Sequence, residues 1–442
     1  MDRMTNRRMP AGRSRRAFCA GAAAMLFAPR ATTLAAQSNP LRPDVAAIDH
    51  DRILAAADRY LTQPPKPLTA TPCPRSPGTI HDYYSEAPME VDPDAPPSAS
   101  SLPAPFLAHR DAIFEFGMAV PALAAAYTLT SQERYAEHAV LWLRTMLLDP
   151  ATRMTPNLSL GQVPLQQAMK ARSAESETQV QTNATFGAAP KAAIGGRYQG
   201  IVETVPLVEV AQAIPFLAPS PALNDAETRA LREWFSAYLH WLSDPQDSGP
   251  RLGALARDSK DHHGTSWMLQ AAAYATLTAP DHTAPRSEDS ALADLRHRYK
   301  ATLLRAQISP QGSFPRELTS PTPLRDSLFN LDMLALICQL LSTRFESVWE
   351  YQLEDGPSMR AAIAYHFPFI EDRAHWPFRA DVSHFSELPG RRVSLLLSAR
   401  AYQRPEYASV WTKLQPDPPS ADVLRSMPIH QPLLWVRPAP RT

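Results

Sequence analysis

Apolar positions along most of the chain recur at helical rather than alternating spacing. Ile48, Ile53, Leu54, Ala57 and Leu61 predict a helix over 46–62. Phe106 opens a second, running to Leu129, with Ile113, Phe114, Gly117, Val120, Leu123, Ala124 and Tyr127 on one side and Pro121 placed to kink it. Thr130-Ser131-Gln132-Glu133 reads as a break with a capping pattern, and 134–148 as the returning arm of an αα-hairpin that ends at Asp149-Pro150. Further helices are predicted over 201–217, 227–242, the Ala-rich run from Trp267, 292–306, 327–341, 345–351, 358–367 and 394–402. No convincing series of alternating strands interrupts them. The pattern predicts an all-α protein of helical hairpins, arranged as a toroid or solenoid.

Between the helices the pattern lapses in places that carry meaning. Residues 63–105 form a loop long enough to be functional or disordered. It holds Tyr83 and Tyr84 beside acids; such rings can line a sugar cleft or simply staple the loop to the body. Residues 173–188 show no apolar period, which predicts a surface insertion near 171–192. Gly195-Gly196-Arg197-Tyr198-Gln199-Gly200 is not a phosphate loop, because no Gly-Lys-Ser/Thr follows it and no strand precedes it. At the amino end, Ser14-Arg15-Arg16-Ala17-Phe18 precedes an apolar run from Cys19 to Ala28 and small residues up to Ala36. This predicts a twin-arginine-type signal over 1–36, one domain over 37–442, and a periplasmic or secreted product. No later apolar run reads as long and uninterrupted enough to span a bilayer.

Composition narrows the function. Apolar residues make up 44%, enough for a sizeable core, and 45 prolines punctuate the loops. Lys and Arg number 44 and Asp and Glu 44, so there is no basic footprint for nucleic acid, although a local basic cleft is compatible with neutrality. Of the three cysteines, Cys19 falls in the signal, Cys73 in a Pro-rich loop, and Cys338 in an apolar helix where a buried thiol is expected. No Cys/His spacing marks a structural zinc site. The candidate chemistry lies in Lys260-Asp261-His262-His263-Gly264-Thr265-Ser266-Trp267, a polar loop that runs into the Ala-rich helix. It would deliver two imidazoles to a first helical turn, where the dipole disfavours imidazolium. The same pair also reads as surface or capping histidines.

Several segments in order resemble the alginate lyase superfamily. They are Phe106-Leu107-Ala108-His109-Arg110-Asp111, Gly196-Arg197-Tyr198-Gln199-Gly200-Ile201-Val202-Glu203-Thr204, His262-His263-Gly264-Thr265, Gly312-Ser313-Phe314-Pro315-Arg316-Glu317-Leu318, Ser327-Leu328-Phe329-Asn330-Leu331 and the tail Ile429-His430-Gln431-Pro432. The resemblance implies an (α/α) toroid, an incomplete barrel of hairpins, with a cleft for an acidic polysaccharide. It implies β-elimination at a uronic acid, with no redox cofactor and no metal. One group neutralises the sugar carboxylate, a base takes the C5 proton, and an acid protonates the departing O4. The motif histidine falls on His263, the expected base, and His262 stands where the family has an asparagine. The family's arginine and tyrosine positions read Ser320 and Asp326. Arg316 or Arg325 is then the candidate cation, and Tyr198, Tyr83 or Tyr84 the candidate hydroxyl.

The expectation is an exported, monomeric polysaccharide lyase. Its catalytic candidates are His263, His262, Tyr198 and Arg316. Tyr83, Tyr84, His109, Arg110, Arg197 and Arg325 are the candidate substrate-binding residues. Ser320 and Asp326 keep a second reading open, a catalytically impaired oligouronate-binding protein on the same fold. A third, a glycoside hydrolase, would need a facing carboxylate pair such as Asp261 with Asp326 or Glu86 with Glu317.

Overall fold

The computed structural model describes residues 39–87, 103–170, 194–243, 251–279 and 290–437. The expected signal, 1–36, and the expected insertion, 171–192, lie outside the described residues. The first helical stretch becomes α1 (Val45–Ile48) and α2 (His50–Leu61), and α2 buries Ile53, Ala57 and Tyr60. α3 (Ala108–Thr130) runs through Pro121 and is buried on nearly every side from Ala112 to Tyr127. Its alanines let α2, α4 (Glu133–Leu143) and α6 (Leu207–Leu217) pack closely around it. At Gly117 even a β-carbon would overlap Pro206, so the approach of α6 depends on that glycine.

The turn between α3 and α4 differs from the expected capping box. Ser131 is left-handed at φ 54°, and Gln132 caps α4 without a side-chain bond. Thr130 spends its hydroxyl on the Ala126 carbonyl instead. The long loop also carries order that the period did not reveal. β1 (Tyr84–Ala87) pairs in parallel with β2 (Leu160–Pro164), Tyr84 opposite Leu160 and Glu86 opposite Val163, and a short α5 follows over 165–170. A small second core of Cys73, Tyr84, Val163 and Ala168 pins this sheet.

The remaining chain is α7 (Asp225–Ser243), α8 (Leu252–Arg257), α9 (His262–Thr278), α10 (Ser290–Arg298), α11 (Leu304–Gln307) and α12 (Pro323–Leu341). Then come α13 (Met359–Glu371), α14 (Val393–Ala401), α15 (Pro405–Lys413), α16 (Ala421–Arg425) and α17 (Leu433–Val436). α12 starts at Pro323 rather than Ser327, because proline is well suited to a first helical position. That shift places Asp326 in the first turn. The helix expected over 345–351 is only a 3₁₀ turn, Val348–Glu350. α8, α15 and α16 are helices that the apolar pattern missed; α8 and α16 are too short to repeat it.

α9 packs against α6, α7 and α12, and α12 in turn against α14. A buried Asp332–Arg392 pair ties α12 to α14, with the Asp332 carboxylate also accepting from the Ser394 N–H. By length and apolarity two helical stretches, Ala108–Thr130 and Tyr198–Leu217, would suit a membrane span, contrary to the reading of the sequence, but both are mostly buried in the core. Cys73 and Cys338 are both buried free thiols, and burial pushes the Cys338 thiol up to about 12.

Candidate active site

The site is built on the first turn of α9. Asp261 caps the helix: its carboxylate accepts the His263 N–H at 3.0 Å and the Ser259 hydroxyl at 2.6 Å. The chain before it folds back so tightly that a β-carbon on Gly264 would strike the Ser259 carbonyl, so this motif glycine is a steric requirement. The same Asp261 oxygen lies 2.9 Å from His263 Nδ1. The His263 ring sits 4.2 Å, centroid to centroid, from that of His262, and makes an edge-on contact with Tyr198 at 5.7 Å.

His262 is held by a carboxylate of its own. Glu317 accepts the His262 N–H at 2.7 Å through Oε1 and meets His262 Nδ1 at 2.8 Å through Oε2. Behind it, Asn330 Nδ2 donates to Glu317 and to Gln307, and Gln307 donates to the carbonyls of Asp261 and Ser259. Loop, helix start and α12 thus share one buried polar network.

Electrostatics separate the two imidazoles. For His263, burial lowers the pKa below the ordinary histidine value; the bond to Asp261 opposes this and neighbouring His262 adds to it. For His262, burial also pulls downward, but Glu317, with Asp326 and Asp261 beyond it, outweighs burial and the pKa is raised. The helix dipole disfavours imidazolium at both positions, but the carboxylate partners of His262 act at closer range and move its pKa the other way. Burial would raise Asp261, yet its bonds to His263 and Ser259 hold it well below the usual carboxylate range.

A cleft of about 360 Å³ opens beside this network. Arg110 and Phe114 of α3, Gln162, Glu203, His262, Arg325, Asp326 and Phe329 of α12, and Asp422 and Arg425 of α16 line it. Arg425 lies 2.9 Å from Asp111 and over the Phe114 ring. Burial raises the Glu203 pKa against hydrogen bonds from Ser85 and Tyr83. Asp326 accepts from Ser320 at 2.7 Å and Thr322 at 2.9 Å, with Arg325 Nε at 3.3 Å.

The structure brings His262, Arg110 and Arg325 to the cleft wall; His263 is in ring contact with His262 and with Tyr198, and neither His263 nor Tyr198 is part of the lining. It places other candidates elsewhere. Tyr83 and Tyr84 are almost fully buried and bond Glu203 and Glu86, so they staple the loop rather than offer a face to sugar. His109 is buried between the Tyr84 N–H and the Thr71 carbonyl, a structural role. Arg316 is exposed and outside the cleft lining. Arg197 lies outside the lining too, its Nε on Gln199. Sequence reasoning missed Arg425, Glu203 and Gln162. Arg425 and Asp422 sit on a five-residue helix with no periodic signal, and Glu203 lay unremarked inside a quoted motif.

An acid-anchored imidazole pair beside a polar cleft that carries arginines and carboxylates is set on a mostly helical scaffold. The sequence profile of the family described as alginate lyase matches residues 68–376, and the chain belongs to that family of polysaccharide lyases. Among solved structures, the chain is similar to an alginate lyase from Bacteroides ovatus, at 22% identity and a TM-score of 0.67, covering 89% of this chain and 94% of that one. It is also similar to alginate lyase A1-III from Sphingomonas species A1, at 15% identity and a TM-score of 0.44, covering 91% and 97%. A variant of alginate lyase A1-III complexed with tetrasaccharide matches at 13% identity and a TM-score of 0.43, covering 87% and 94%. A search of the curated proteins finds no match.

Proposed function

We propose that this protein is an exported lyase that cleaves a uronate-containing polysaccharide such as alginate by β-elimination, on an (α/α) toroid with His263 as base. The observation that carries this is the Asp261–His263–Tyr198 series set beside the arginine-bearing cleft. With Nδ1–H donated to Asp261, the neutral ring presents an unprotonated Nε2, the nitrogen that can take the C5 proton. Burial supports the neutral form. The carbanion-like charge spreads onto the sugar carboxylate, and a positive wall lowers its cost. Arg110, Arg325 and Arg425 are the cations at the cleft that stand in for the family's arginine, each also paired with a carboxylate, Asp111, Asp326 or Asp422. Tyr198, in ring contact with the base, is the phenol assigned to protonate O4.

The hydrolase reading finds less support. Asp261 is spent on His263, and Glu86 is locked in a two-pronged bond with Arg75 and lies outside the cleft lining. Asp326 in the cleft wall favours the second reading, a binding protein with little turnover, because its charge opposes a sugar carboxylate. The deciding experiment offers a panel of alginate, glucuronan and sulfated uronates and reads the absorbance of new unsaturated ends. The lyase reading expects such ends from at least one polymer. Saturated ends, or binding without cleavage throughout, would overturn it.

A further inference from the structure

We propose that His262, Glu317 and Asp326 form a binding site for one divalent transition-metal cation, of the Mn²⁺ or Zn²⁺ type, at the cleft wall. One nitrogen or oxygen from each of the three residues lies within 4.8 Å of the others. Opposite ligands on an ion with bonds of about 2.1–2.2 Å stand roughly 4.2–4.4 Å apart, so a small contraction closes the set. His262 Nδ1 and Glu317 Oε2 are already 2.8 Å apart, near the roughly 3.0 Å edge between adjacent ligands of an octahedral ion with such bonds. The cation would take the place of the proton they share.

Charge points the same way. Two carboxylates elsewhere are met by arginine forks, Arg75 on Glu86 and Arg144 on Glu227, while buried Glu203 and Glu209 are held by hydroxyls or backbone N–H groups. Glu317, almost fully buried, has instead an imidazole, a backbone N–H and an amide. Asp326 has two hydroxyls and one stretched contact to Arg325. Two carboxylates this close repel unless something positive sits between them. One proton offsets one charge, and a divalent ion offsets both.

A separate observation comes from Asn330, one helical turn after Asp326 on α12. Gln307 donates its amide N–H groups to the carbonyls of Ser259 and Asp261, so its Oε1 faces Asn330. The Asn330 nitrogen must therefore face Gln307 and Glu317, since a flip would set oxygen against oxygen at both. That leaves Asn330 Oδ1 fully buried with no hydrogen-bond partner among the described residues. An orphaned acceptor bonded through its own amide to Glu317 is an oxygen in want of a cation or water. One imidazole with oxygen donors suits Mn²⁺ or Zn²⁺ better than Ca²⁺ or Mg²⁺. Serine and threonine hydroxyls on Asp326 would orient it as a ligand, as outer partners do in metal sites.

The test uses the untagged full chain, stripped with a chelator and titrated calorimetrically with MnCl₂, ZnCl₂, CaCl₂ and MgCl₂ in the absence of polysaccharide. The expected result is one Mn²⁺ or Zn²⁺ per chain, with Ca²⁺ and Mg²⁺ at least tenfold weaker, roughly the selectivity a nitrogen ligand confers. Asp326→Asn should weaken uptake at least tenfold, while Asp422→Asn, also on the cleft wall, leaves it unchanged. Should Asp326→Asn fail to fold, nitrogen hyperfine coupling in the spin resonance of Mn²⁺ bound to the native protein decides instead. No stoichiometric uptake, uptake unchanged by Asp326→Asn, or a bound Mn²⁺ without nitrogen coupling would overturn the proposal. Because no sugar is present, failure here leaves the lyase reading standing, and an inactive protein that binds the metal would count against the lyase alone.

Discussion

Asp261 does two things with one carboxylate: it caps α9 and it fixes the tautomer of His263. The two roles separate in a variant. Asp261→Asn keeps a good cap, so the thermal midpoint should barely move. The ring would lose its anionic partner, and the rate should fall by roughly 10²–10⁴-fold, the range for a disabled acid/base group. A melting curve beside a rate assay checks both halves, and a large loss of stability with the rate preserved would contradict the assignment. The histidine pair and its acid were legible at this scale because they are contiguous in sequence. Glu317 was legible as a motif letter and as a candidate carboxylate paired with Glu86, not as the partner of His262. Its bond to His262 spans 55 positions, and no local pattern reports that. Tyr83 and Tyr84 misled for a related reason: a tyrosine in a long loop looks the same in sequence whether its hydroxyl faces sugar or a buried glutamate.

At the scale of elements, the start of α9 depends on a glycine and the seam between α12 and α14 on an ion pair. Gly264→Ala would push a methyl into the Ser259 carbonyl, and backbone that is overpacked in this way typically loses about 1–3 kcal/mol. The thermal midpoint should drop, and activity should drop further because His262 and His263 ride on that turn. Asp332→Ala would strand Arg392 in the core, at a cost of about 3–5 kcal/mol. Chemical denaturation should show this as a lower midpoint, and a change near zero would mean that the pair is not buried as described. The helices themselves were readable wherever an apolar stripe ran for three turns or more. α8 and α16 were not, being too short to declare a period. The parallel pairing of β1 with β2 was hidden for another reason: the two strands are far apart in sequence and each is only a few residues long.

For the molecule as a whole, neutrality hides local asymmetry. The 44 basic and 44 acidic residues cancel overall, yet charges of both signs concentrate at one cleft, Arg110, Arg325 and Arg425 beside Glu203, Asp326 and Asp422. Arg425 arrives from the far end of the chain and was invisible until the fold closed. Removing it should weaken capture of a polyanion with little effect on the fold, read as a raised KM whose excess over wild type is largest at low ionic strength and shrinks as salt is added. The central claim is that the anchored imidazole at residue 263 takes the proton. The most direct measurement compares wild type with His263→Ala on the polymer that wild type cleaves, reading unsaturated ends per unit time at matched folding. A fall of roughly 10²–10⁴-fold is predicted; wild-type-like production of unsaturated ends by the variant would contradict it.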